Sequence, residues 1–99
     1  MAHWDRITAV YIVANRKNGA LYTGVTSHLI QRIHQHKQGV ADGYTKRYGC
    51  KNLVWYELHE DIREAIRREK SLKSYRRQNK INMIVKNNPH WSDLYFSLL

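Results

Sequence analysis

Apolar positions near the start of the chain fall into two β-favouring runs, Thr8 to Ala14 and Ala20 to Thr26, which predict paired strands. The connector Asn15-Arg16-Lys17-Asn18-Gly19 is polar, and its Asn-Gly pair is a strong hairpin-turn signal. Thr26-Ser27 then offers a helix N-cap. Leu29, Ile30 and Ile33 repeat on one stripe, predicting a helix from about His28 to Lys37 that ends near Gly39. Residues 38–51 are rich in Gly, Tyr and cations and read as an ordered loop. Leu53 to Leu58 is the third predicted strand. Asp61 is expected to cap a helix from about Ile62 to Ser74, and a further helix covers about Arg77 to Lys86, stopping before Asn87-Asn88-Pro89. Trp91 to Leu99 is apolar enough to pack as a last helical turn or two. The order β-β-α-β-α-α predicts a small α+β domain, a three-stranded and mainly antiparallel sheet flanked by helices.

The length, 99 residues, suits a single domain spanning 1–99, with room for a modest core and none for an added DNA-binding unit. Seventeen Lys and Arg against eight Asp and Glu give a net charge of +9. That excess favours a polyanionic partner. No apolar run approaches the roughly 20 residues a spanning helix needs, so no membrane partner is expected. The early Trp4, Asp5 and Arg6 do not resemble a signal peptide. Cys50 is the only cysteine, which excludes an intramolecular disulfide and a thiolate zinc site. The expectation is a reduced, cytoplasmic protein that meets nucleic acid.

Three sets of side chains carry candidate chemistry. Tyr11 and Tyr22 sit on the two hairpin strands, which can display both phenols on one face; simple packing is the plain alternative. Arg32 and His36 are i and i+4 on the first predicted helix, beside Leu29 and Ile33. An arginine can clamp a phosphate and a histidine can donate to it or move a proton, whereas a solvated basic face needs no ligand. His34 and His36 point to different sides and make no metal pair. On the helix from Ile62, the apolar residues are Ile62, Ala65, Ile66 and Leu72, and Glu69 falls on their inward stripe. An inward carboxylate is costly unless paired or bound to a metal, so an ion pair with Lys73 is the structural alternative. Glu64, off the stripe, is expected to pair with Arg68.

Arg63, Arg67, Arg68, Lys70, Lys73, Arg76, Arg77 and Lys80 put eight cations in eighteen residues, opposed only by Glu64 and Glu69. Charges alternate on an ordinary solvated helix, so this imbalance favours a phosphate-facing surface. Lys46, Arg47 and Lys51 add to it, and Tyr44 and Tyr48 interleave with them as stacking surfaces for exposed bases would.

Val10-Tyr11-Ile12, Leu21-Tyr22-Thr23-Gly24-Val25-Thr26, Leu29, Arg32, His36 and Arg68-Glu69-Lys70 together resemble the GIY-YIG nuclease family over nearly the whole chain. Thr45-Lys46-Arg47-Tyr48, Arg68-Glu69-Lys70-Ser71-Leu72-Lys73 and Asn88-Pro89-His90-Trp91-Ser92-Asp93-Leu94-Tyr95 are similar to strings in its small bacterial single-domain branch. No single piece is specific; the ordered set is. The resemblance implies an endonuclease that hydrolyses phosphodiester bonds in DNA with one Mg²⁺ or Mn²⁺ ion, on branched, flapped or damaged forms met in repair or recombination. RNA stays open as a second substrate, and protein partners are unknown.

By match of position, Tyr11 would be the general base or water-positioning phenol and Tyr22 its partner at the scissile phosphate. Gly24 would be the close-packed glycine of the second motif. Arg32 would stabilise charge on the phosphate, His36 would contact it, and Glu69 would hold the metal. Lys46, Arg47, Arg68, Lys70, Lys73, Arg76 and Arg77 would bind the nucleic acid. A phenol ordinarily has a pKa near 10, so Tyr11 needs help to act as a base at neutral pH. In this chain only the tyrosines and the glycine of the two name motifs are literal. An active-site asparagine known from other relatives has Asn79 and Asn82 as candidates. The alternatives are a nucleic-acid-binding module with the same fold and no turnover, or a basic domain that binds a protein or ribosomal RNA.

Overall fold

The computed structural model describes residues 6–40 and 43–99. Six consecutive buried residues, Ala9–Ala14, form β1, the centre of a three-stranded sheet. β2 (Leu21–Thr26) and β3 (Asn52–Leu58) flank it, both antiparallel to it. Cover on both faces explains why β1 reads as an unbroken apolar run rather than an alternating one. Ala9, Tyr11 and Val13 pack on one face against Leu29, Ile30 and Ile33 of α1 (Leu29–Gln38). Val10, Ile12 and Ala14 pack on the other, with Ala65 and Leu72 of α3 (Ile62–Lys73) and Ile84 of α4 (Arg77–Asn87). The α+β architecture expected from the sequence is the one observed.

The register with β3 shifts between Ile12 and Val13, because Ile12 faces Trp55 while Val13 faces Leu53. Val54 is the extra residue of this bulge, which turns both Val54 and Trp55 toward α3 and α4. The chain beyond α4 then closes the β3 edge. The Asn88 amide donates to Val54 O and Ser92 O, while its Oδ1 accepts from Ser92 N. Asp93 accepts from Leu53 N, from Tyr95 N and from Lys37 Nζ. Trp91 therefore packs on one face of the sheet and Tyr95, in a closing 3₁₀ helix (Leu94–Leu98), on the other. The Asn-Pro-x-Trp-x-Asp string is a clasp that covers an otherwise open strand edge.

Four local expectations need correction. The segment read as a loop contains α2 (Gly43–Tyr48). Six residues carry no helical period to read, and this helix is held from outside by its buried Thr45. On α3 the inward stripe is Ala65, Glu69 and Leu72; Ile62 and Ile66 lie off it and stay more than a third exposed. Glu64 pairs with Arg67 at 3.0 Å, and Arg68 turns instead to Glu57 on β3. The Asp61 cap holds, its Oδ1 accepting from Arg63 N at 2.8 Å. At α1 the cap expected at Thr26-Ser27 is not formed: the capping position is His28, with no side-chain cap bond, because Thr26 Oγ1 accepts from His28 N, ahead of the first turn. No helix among the described residues is long and apolar enough to cross a membrane.

Candidate active site

The β1–β2 register sets Tyr11 directly opposite Gly24. A Cβ at position 24 would stand 2.4 Å from both Cζ and Oη of Tyr11, so the ring lies across space that only glycine leaves open. Tyr22, two residues back along the same face of β2, packs against the Tyr11 side of the sheet.

α1 delivers His36 to this corner. Gly39 adopts a left-handed conformation at the C-cap of the helix, and its N–H reaches Gln35 O and His36 O. His36 is 2% exposed and Tyr11 3%. His36 Nε2 shares a 2.8 Å hydrogen bond with Tyr11 Oη, and Nδ1 shares one of 3.1 Å with Thr45 Oγ1 of α2. The threonine hydroxyl can accept from Nδ1–H, which leaves Nε2 free to accept the phenolic proton. The His36 ring also lies 5.9 Å from that of Tyr22. His36 thus stands behind the phenols, wedged between β1, β2 and α2, rather than on an open helix face.

Glu69 comes from α3, whose apolar side covers the opposite face of the sheet. Its carboxylate is nonetheless joined to the tyrosines. Lys73 Nζ pairs with Glu69 Oε2 at 2.8 Å and lies 5.7 Å from the centre of the Tyr22 ring, reaching past the β2 edge. Glu69 is 9% exposed, and Lys73 is its ion-pair partner among the described residues. Lys80 of α4 senses the same cluster. Burial, then repulsion from Lys73, pushes its ammonium below the ordinary lysine range, while Glu69 pulls the other way.

Arg32 lies one turn before His36, beside Thr26, His28, Gln31 and Gln35 around a polar hollow of about 100 Å³. It is half-buried, and among the described residues its guanidinium has no ion-pair or hydrogen-bond partner. It shares the α1 face with His36 at i+4, and no bond among the described residues ties it to Glu69.

A family model described as the GIY-YIG catalytic domain matches residues 8–82. The chain belongs to the GIY-YIG family. A UPF0213 protein of Staphylococcus aureus strain Mu3 is 39% identical over 76% of this chain and 90% of its own, and one from strain Mu50 matches equally. The solution structure of UPF0213 protein BH0048 from Bacillus halodurans superposes with a TM-score of 0.52 at 31% identity, covering 86% of this chain and 90% of that one. Membership puts the chain in a nuclease family, and its relatives in hand are small bacterial proteins.

Within this GIY-YIG domain the candidate cations divide. Arg68 makes a two-point contact with Glu57 (3.0 and 3.4 Å) and a third with Tyr75 Oη. Burial works against its charge, but Glu57 and Tyr75 outweigh it and raise its pKa. Arg77 Nη2 donates to Asn18 O and Gly19 O, tying α4 to the hairpin turn. These two are structural ties. Lys46, Arg47, Lys70 and Arg76 stay exposed. Asn79 and Asn82 are exposed on α4, and Asn82 Oδ1 accepts from Gln78 Nε2. Thr45 and Lys80 are the site neighbours that spacing did not single out. Thr45 meets His36 only because the chain folds back after Gly39, and Lys80 looked like one cation among eight. Burial pushes the Cys50 thiol up, which removes it as a nucleophile.

Proposed function

We propose that this chain is a metal-dependent endonuclease hydrolysing phosphodiester bonds in DNA, with branched, flapped and damaged forms as the first substrates to test. One observation carries the reading. A largely buried glutamate meets, through Lys73, the same tyrosine that packs on the Tyr11–His36 pair. Packing alone gives no reason to bring an inward carboxylate there.

The donor set fits a hard divalent ion. Among the described residues no group of three His, Cys, Asp or Glu side chains stands together, and Glu69 is the carboxylate that Lys73 links to Tyr22. Mg²⁺ commonly takes one or two carboxylates and completes its shell with water and substrate phosphate. Held there, Mg²⁺ or Mn²⁺ supplies Lewis-acid polarisation of the phosphate. The Glu69 carboxylate is the group that would bind it, with Lys73 keeping it oriented through Oε2.

The other roles follow from the hydrogen bonds. Tyr11 Oη takes a proton from the attacking water as its own proton passes to His36 Nε2, and Thr45 holds the imidazole in the accepting tautomer. His36 acts here as a proton acceptor behind Tyr11, not as a direct phosphate donor. Tyr22, the more exposed phenol, orients the phosphate beside Lys73. Arg32, half-buried and without an ion-pair partner among the described residues, offsets the charge that builds on the phosphoryl oxygens.

The Lys73–Glu69 ion pair also favours a second reading, a binding module whose carboxylate is satisfied without metal. Incubation of purified protein with linear, nicked, flapped and branched DNA, and with RNA, in Mg²⁺ or Mn²⁺ separates the two. Cleavage suppressed by EDTA supports the nuclease. Tight binding without cleavage under every condition supports the module.

A further inference from the structure

The rings beside Tyr22 continue outward. Tyr44 lies 6.0 Å from Tyr22 with an interplanar angle of 31°, and Tyr48 lies 4.8 Å from Tyr44 at 46°. Exposure rises along the series: Tyr22 is half-buried, Tyr44 is 42% exposed and Tyr48 45%. Tyr44 and Tyr48 are i and i+4 on α2 and so share a face. The helix presenting them is anchored from behind by buried Thr45 on His36. The Arg47 guanidinium lies 5.6 Å from the Tyr48 ring centre, and exposed Lys46 and Lys51 flank the same helix.

Packing accounts for the inner side of Tyr44, which covers Tyr22. It gives no reason to hold a second aromatic ring half in water, tilted against the first and beside an arginine, on a chain of charge +9. A nucleotide matches this surface, with a flat base for the exposed Tyr48 ring joined to a phosphate for the cations. Bases in an intact duplex are already stacked on one another and offer no free face. Only unpaired nucleotides can use such a platform.

We propose that Tyr44 and Tyr48, with Arg47, form a stacking platform for unpaired bases adjoining the phosphate held at Tyr22, so that the substrate class is DNA with a single-stranded stretch at the site of attack. The proposal rests on the nuclease reading for the cleaved bond, but binding to the platform can be measured without cleavage.

The test uses Glu69→Ala protein and three fluorescein-labelled probes, a short single strand, a flapped duplex and a blunt duplex, read by anisotropy at fixed salt. The single strand and the flap should bind more tightly than the blunt duplex. Tyr48→Ala and Tyr44→Ala should each weaken those two by about tenfold, the usual loss per stacked base, and leave the blunt duplex nearly unchanged. Tyr48→Phe should retain affinity, because the ring and not the hydroxyl does the stacking. It also serves as the comparison if Tyr44→Ala loosens α2. 2-Aminopurine placed in the single strand should be quenched by the parent protein and not by Tyr48→Ala. Equal losses on all three probes, or none on the single strand, overturn the platform. Absence of cleavage by the unmutated protein would count against the nuclease alone.

Discussion

Tyr11 and Gly24 occupy the same point of the hairpin from two sides: they are cross-strand partners, and the phenol lies where a side chain at 24 would be. The glycine of the second motif is thus required by the tyrosine of the first. A methyl group there must push the ring away from His36. Gly24→Ala should destabilise the fold by about 1–3 kcal/mol through overpacking. Cleavage per folded molecule should fall by roughly a hundredfold, as expected for displacement of a reacting group by about 1 Å. Thermal unfolding and cleavage assays on the same preparation check both.

The buried Tyr11–His36 bond makes Tyr11→Phe more than a surface change. Removing the hydroxyl breaks the buried 2.8 Å bond to His36 Nε2, at a cost of about 1–3 kcal/mol. Turnover should drop by about 10²–10⁴ with DNA affinity kept. Tyr11→Phe and His36→Ala should be clearly non-additive in a double-mutant cycle, since each breaks the same bond. Additive losses would separate the two residues.

The cations should behave as two groups. Lys70→Ala and Arg76→Ala should each weaken DNA binding and lower the salt dependence of affinity by about one unit of slope. Arg68→Ala should leave that slope nearly unchanged and remove about 1 kcal/mol of stability with the half-exposed Glu57 pair. Salt titrations of binding, set beside denaturant curves, distinguish the groups.

Asp61 predicts a pH dependence. Its hydrogen bonds with the Arg63 side chain and backbone hold the carboxyl below its ordinary range in the folded protein. The unfolded chain therefore takes up the proton first as pH falls. The stabilisation is full above about pH 4 and is lost as pH drops through the lower folded value. Asp61→Ala should melt earlier than the parent at neutral pH, and the gap should close in acid.

Much of this was legible in the residues. The strands follow from their β-favouring apolar runs, and the long helices and the inward Glu69 from periodicity, because each of those helices buries one face against a two-sided sheet. Periodicity failed where geometry depends on distant partners. The Val54 bulge, the six-residue α2 and the Arg77 tie to the hairpin turn leave no repeat to detect. The same limit applied to the site. Tyr11, Tyr22, His36 and Glu69 could be named, but not that Thr45 backs His36 or that Lys73 carries Glu69 around the β2 edge to Tyr22.

Glu69 is where enzyme and binding module part company. The most direct measurement compares the parent protein with Glu69→Ala for cleavage of a flapped DNA across a Mg²⁺ titration, with DNA affinity read in parallel without metal. The nuclease requires metal-dependent cleavage by the parent, none by the variant, and affinities that agree closely. Unchanged cleavage by Glu69→Ala, or an equal loss of binding and cleavage, would contradict a metal-holding role for Glu69 and with it the proposed chemistry.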